Sequence, residues 1–277
     1  MENNINISIN KNPSKKLDSK INELLNLYKE ETLKENKVSC YYLDINSLSI
    51  ISINEDKCFY AASSIKILVC LILFEQATNN KIDLNKKVLI KIDEIKQGTG
   101  IIKYQNKDTE YTLLELIKLS LIESDNTAYI KLVNIVGKEN IRNYGYSLGA
   151  IHTMEGKETD FFGIINTKDM LLYWKKIKEF IDSKSKYSII FEEYLLKPSK
   201  KLKNNISLDN NEFLRKYGSF GIAYHEAGIV LDKNPYYLII LTQLNNIEYK
   251  EDFLNKTARL ISEIHKIINE RSCDNHE

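Results

Sequence analysis

Strand-like sequence stands at the two ends of the chain, and the long stretch between them is helical. Two short β-rich runs, 38–43 and 48–53, are joined by the turn-like Asp44-Ile45-Asn46-Ser47 and read as a hairpin. Three more follow much later, at 213–217, 222–231 and 237–244. Helical periodicity precedes the first pair over 16–33, where Leu17, Ile21, Leu24, Leu25 and Tyr28 recur, and follows the last strand over 251–268. Between them lie helical segments at 63–77, 113–122, 126–136, 168–181 and 187–196. The economical solution pairs the early hairpin with the late strands in one antiparallel sheet. The expected fold class is therefore α+β: an antiparallel sheet flanked by the terminal helices, plus an all-helical lobe. The expected organisation is a tail over 1–15 and one catalytic domain over 16–277. Its α/β lobe takes 16–60 and 212–277, its helical lobe 61–211, and a cleft lies where they meet.

Composition removes several functional classes. The 39 basic residues almost cancel the 38 acidic ones, so nothing draws the chain to nucleic acid or an anionic membrane. The longest apolar run, 67–74, is too short to span a bilayer and suits a buried core helix. The start, MENNINISINKNPSKK, has no apolar export segment, which points to a cytoplasmic protein, secreted only if a signal precedes the numbered sequence. Four cysteines at 40, 58, 70 and 273 match neither a zinc nor a C-x-x-C pattern, and the histidines are scattered. No metal or cofactor is expected. The expected partner is a small-molecule substrate, bound by a monomer.

Three short segments carry the chemistry. Ser63-Ser64-Ile65-Lys66 opens the helix that contains the apolar run. A serine hydroxyl needs a positioned base, and a lysine three residues on lies on the same helical face. Burial that lowers the lysine pKa lets its neutral amine take the serine proton. The same spacing recurs at Ser8 and Ser183, and a plain helix cap explains any one copy equally well. Ser124-Asp125-Asn126 joins two helical segments; its serine can relay a proton and its asparagine can hold an amide carbonyl, though all three residues also favour a capping turn. Lys216-Tyr217-Gly218-Ser219 lies on a late strand, where a lysine can anchor a carboxylate and the glycine admits a close approach to the backbone. A solvated edge-strand lysine is the plain alternative. Each segment alone is weak, but the three occur in order, each in the local structure its role requires.

With those three elements the chain resembles the class A β-lactamases and related penicillin-binding D,D-peptidases, whose signatures are S-x-x-K, S-D-N and K-T-G. The resemblance runs from about Lys16 and includes Phe59-Tyr60-Ala61-Ala62, Gly98-Thr99-Gly100 and Pro235-Tyr236-Tyr237. It implies that Ser63 is acylated, that Lys66 acts as base, that Ser124 relays a proton to the leaving nitrogen and that Lys216 supports the relay and a carboxylate. Asn126, Gly218 and Ser219 would bind substrate, with the backbone N–H groups of Ser63 and Ser219 as the oxyanion hole.

Three departures from the family qualify that implication. Tyr217 stands where the family has a small hydroxyl residue, which leaves Ser219 or His225 to hold a carboxylate. The segment 150–165, AIHTMEGKETDFFGII, lacks the R-x-x-E-x-x-L-N pattern whose glutamate activates the deacylating water; Glu155, Glu158 and Asp160 are its only acids. The disulfide partner that some members give to the Cys70 position is Ile117 here, so a free thiol is expected. The expected function is acylation of Ser63 by a β-lactam or a D-Ala-D-Ala-like amide, with slow deacylation. The alternatives are a non-turnover penicillin-binding sensor, or another amidase or esterase, glutaminase-like, on the same scaffold.

Overall fold

A computed structural model describes residues 3–157, 160–197, 208, 211–246 and 248–270. In chain order the strands are β1 (Ile5–Ser8), β2 (Lys37–Asp44), β3 (Ile50–Ile53), β4 (Phe59–Tyr60), β5 (Lys87–Ile90), β6 (Thr109–Thr112), β7 (Ile164–Ile165), β8 (Glu212–Phe220), β9 (Ala223–Leu231) and β10 (Tyr236–Gln243). The α-helices are α1 (Lys15–Leu33), α2 (Lys66–Thr78), α3 (Leu113–Ile122), α4 (Asn126–Val136), α5 (Lys138–Ser147), α6 (Thr167–Asp182), α7 (Lys186–Leu196) and α8 (Lys250–Asn269). One six-stranded antiparallel sheet, ordered β1-β3-β2-β10-β9-β8, joins the early hairpin to the late strands. The fold is α+β, as the distribution of strand character requires.

The centre of the sheet explains the two layers. In β10, Tyr236, Leu238 and Ile240 face a core shared with α1 and α8, while Tyr237, Ile239 and Leu241 face the core of the helical lobe. A strand apolar on both faces must be covered on both. Helix α2 is buried at every position from Lys66 to Phe74, so it forms the axis of the helical lobe.

Two elements differ from the sequence reading. Residues expected as a flexible tail include β1, an edge strand whose side chains are all exposed but whose register with β3 is complete from Ile5↔Ile53 to Ser8↔Ile50. Ile5 and Ile7 alternate with polar residues as a strand requires, but the run is short, polar on both sides and exposed, and backbone pairing with β3 is what holds it. Helix α5 falls between the expected helices because KENIRNYGYS is polar and contains Gly145, a poor helix former. That glycine is required: a Cβ there would collide with the side chain of Thr153.

Candidate active site

The three chemistry-bearing segments converge where the lobes meet. Ser63 sits in a short 3-10 turn, Ala62–Ile65, that leads directly into α2. Groups in a first turn have no intrahelical acceptor for their N–H, which leaves the Ser63 N–H without a helical partner. Ala62, just before it, has φ +47°, and Ser124 has φ +52°. Both are left-handed conformations that L-residues adopt at a cost of about 1–2 kcal/mol, a form of strain that collects at functional sites.

Lys66 is fully buried and reaches the loop between α3 and α4. Its Nζ donates to the Ser124 carbonyl at 2.6 Å and to Asn126 Oδ1 at 2.9 Å, with Ser124 Oγ at 3.4 Å. None of these bonds runs to the Ser63 hydroxyl. Burial first, and the nearby Lys216 charge second, hold Lys66 well below the usual lysine range. The three acceptors around Nζ, two carbonyl oxygens and the Ser124 hydroxyl, match the donors of an ammonium, and the lowered pKa makes the loss of one proton, which exposes a basic lone pair, easier than for an ordinary lysine. The rings of Tyr129 and Phe162 lie 5.4 and 5.7 Å from Nζ. Among the described residues Lys66 has no ion pair.

Lys216 approaches from β8, the strand at the edge of the sheet. Its Nζ donates to Ser124 Oγ at 3.0 Å, so one hydroxyl lies between two buried amines. Burial pulls Lys216 down to about 7, with Glu226 opposing and Arg215 assisting that shift. Arg215 and Glu226 form a buried ion pair of 3.1 Å on the adjoining strands. The plain alternative of a solvated edge lysine does not hold, because Lys216 is 2% exposed.

The loop that carries Ser124 is held from several sides. Asp125 caps α4 through Ala128 N–H at 2.9 Å, and its other oxygen accepts from the N–H groups of Ile101 and Ile102 at 2.7 and 2.8 Å. Thr99 Oγ1 donates to the Ser124 carbonyl at 2.7 Å. Asn126 gives one Nδ2 donor to the Gln97 carbonyl at 3.2 Å, has a second N–H on the same nitrogen, and lines the cavity. That cavity, about 250 Å³, is walled by Ser63, Asn126, Ser219, loop 97–99 and three aromatic side chains.

Gly218 has a reason that sequence alone did not supply. A Cβ there would lie 2.9 Å from Ser64 N, 3.0 Å from Ala61 O and 3.3 Å from Ser63 N. The close approach is therefore that of β8 to the turn that carries Ser63. His225, considered above as a carboxylate holder, is 1% exposed and committed on both nitrogens: Nε2–H donates to the Tyr60 carbonyl at 2.8 Å and Nδ1 accepts from Thr242 N–H at 3.1 Å. Burial pushes it down to about 4. It is a brace behind Ser63. The Tyr217 hydroxyl is buried close to Ser124 without a well-formed hydrogen bond among the described residues, and the Lys216 amine lies 4.2 Å from the Tyr217 ring centre.

The other S-x-x-K serines lie elsewhere, Ser8 on the exposed edge strand and Ser183 at the C-cap of α6. Cys70 is a free, buried thiol beside Ser120, as are Cys40 and, half-buried, Cys58 among the described cysteines. Of the acids in the shortened loop, Glu155 bonds His152 at 3.0 Å, Asp160 accepts from Phe162 N–H at 2.9 Å, and Glu158 lies outside the described residues. No described acid lines the cavity. The aromatic wall residues Tyr60, Phe162 and Phe220 were missed in the sequence, since three distant positions meet only in the fold. Among the described residues no helix is long and apolar enough to cross a membrane.

A serine at a strained helix entrance, with two buried lysines bridged by a hydroxyl, has the layout of an acyl-transfer serine hydrolase site. The model of the beta-lactamase enzyme family matches residues 16–271, and the chain belongs to that family. Among solved structures, a mutant of PBP-A in acyl-enzyme complex with penicillin G superimposes with a TM-score of 0.78 at 17% identity, covering 89% of this chain and 97% of the other. A β-lactamase from Sphaerobacter thermophilus gives 0.76 at 17% identity over 88% and 95% of the two chains. A class A β-lactamase representative from Bacteroides cellulosilyticus gives 0.75 at 18% identity over 91% and 99%. At these identities the likeness is one of fold.

Proposed function

We propose that the chain is a serine hydrolase acylated at Ser63 by a β-lactam or a D-Ala-D-Ala-like amide, and that the acyl-enzyme is hydrolysed slowly. The observation that carries this reading is the Ser124 hydroxyl held between the Lys66 and Lys216 amines beside the cavity that Ser63 lines. Lys66, as the neutral amine, takes the Ser63 proton while Oγ attacks the carbonyl. The N–H groups of Ser63 and Ser219 receive the oxyanion, each donor worth about 3–4 kcal/mol in the transition state. The proton then passes from Lys66 through the Ser124 hydroxyl to the leaving nitrogen, with Lys216 holding that hydroxyl. Asn126 offers its second N–H to the acyl side-chain amide, and Gly218 lets β8 lie against the nucleophile turn.

What supports slow deacylation is the wall beside Lys66. Phe162 and Tyr129 occupy the space around its amine, and no described carboxylate lines the cavity to activate water. A fluorescent penicillin should label the wild-type protein covalently and leave folded Ser63→Ala unlabelled. Equal labelling of the two rules out the nucleophile.

A second reading, an amidase or esterase acting on a substrate without a carboxylate, is favoured by one feature. His225 is committed and Tyr217 replaces the small hydroxyl, so fewer groups remain to hold a carboxylate. Ester turnover with no penicillin adduct selects it.

A further inference from the structure

The cavity beside Ser63 has a chemical character of its own. Four aromatic rings form a continuous series from its rim into the helical core. Phe220 lies 5.3 Å from Tyr60, Tyr60 lies 6.1 Å from Phe162, and Phe162 lies 5.2 Å from Tyr129, all tilted. The series begins at the surface, where Phe220 is 69% exposed at the end of β8, and ends at Tyr129, which is fully buried. Ile222, across the Gly221 turn from Phe220, is also exposed. None of the described residues lining the cavity is charged, and Lys66 and Lys216 are buried outside that lining.

These features select a ligand. A second aromatic ring entering the cavity gains edge contacts with tilted rings already in place, and it covers the exposed face of Phe220. A charged group among the aromatic rings would lose water with no counter-ion in the lining itself; the nearby amine of Lys103, on the Gly98 carbonyl, is exposed and stays hydrated. We propose that the subsite formed by Tyr60, Phe162 and Phe220 makes the protein selective for acyl donors whose acyl side chain is aromatic and uncharged. This rests on the acylation of Ser63 proposed above and specifies the substrate class of that site.

The test uses three penicillins that share one nucleus, so the reacting amide and its carboxylate stay constant. Benzylpenicillin carries an aromatic, neutral side chain; carbenicillin adds a carboxylate to that same side chain; aminopenicillanic acid lacks the acyl group altogether. The second-order rate of adduct formation, followed by intact mass, should be higher for benzylpenicillin than for either of the others by about tenfold or more. Phe220→Ala should collapse that ratio, while Phe220→Trp, which keeps a ring, should retain it. Because the readout is a ratio, a general loss of folding or reactivity does not imitate the result. Equal rates for the three penicillins, or a ratio unchanged by Phe220→Ala, overturns the selectivity and leaves Ser63 acylation standing. No adduct with any of the three, with all three penicillins left intact, overturns both.

Discussion

The substitution Gly218→Ala tests how tightly β8 and the Ser63 turn are fitted. A methyl group at this position would sit 2.9 Å from Ser64 N and 3.0 Å from Ala61 O, against 3.4 Å where ordinary contact begins. The strand and the turn must therefore separate by about 0.5 Å. Both opposing atoms are backbone, so no side-chain rotation relieves the clash. Misplacing reacting groups by 1 Å costs about 10²-fold, so half that displacement should slow acylation by about tenfold. Overpacking of this kind also destabilises by about 1–3 kcal/mol. The assay is the rate of fluorescent penicillin labelling, read beside a denaturant melt. Gly137→Ala serves as the comparison, because Gly137 caps α4 with φ +85° and has only the Asn140 side chain near its Cβ position. It should lose about 1–2 kcal/mol through backbone strain and keep its labelling rate. Full labelling speed in Gly218→Ala, or equal slowing in both variants, would refute the argument that contact with the Ser63 turn is why this position is glycine.

Two other expectations concern the supports of the site. Asp125→Ala removes the acceptor of three backbone N–H groups, from Ala128, Ile101 and Ile102. At about 1–3 kcal/mol for each buried donor left unpaired, with partial rehydration, the variant should lose about 3–5 kcal/mol; a loss under about 1 kcal/mol by denaturant melt contradicts the geometry. His225 is held neutral, its pKa depressed from 6.5 to about 4. The unfolded chain then binds a proton that the folded chain refuses, so stability falls as pH drops from 6.5 toward 4, by up to about 3 kcal/mol. The stability advantage of wild type over His225→Gln should shrink across that interval, and a constant difference counts against it.

Much of the fold was written in the order of apolar patterns. The β10 sequence YYLIILTQ reads as a strand covered on both sides, and the alternating faces of β2 and β10 do meet two different cores. Elements with a weak apolar signature were hard to read. Strand β1 has only the alternating Ile5 and Ile7 and is held by its register with β3, and α5 is polar and carries Gly145, which Thr153 leaves no room to replace. In the candidate site, Ser63, Lys66, Ser124 and Lys216 were legible as an ordered set of three motifs and through the family resemblance, and the fold brings their segments together. What each residue touches was not legible. The Asn126 contact to Lys66, the Thr99 latch on Ser124, the commitment of His225 and the ring series through Phe162 all depend on side chains brought together from distant parts of the chain.

The most direct measurement is an intact-mass time course after one equivalent of penicillin G, with peptide mapping of any adduct. A single acyl group on the peptide that contains Ser63, formed quickly and still present long after free penicillin is gone, is the expected result. A protein whose mass never changes while the penicillin remains intact, or an acyl group mapped to another residue, contradicts a nucleophile activated by the buried amines.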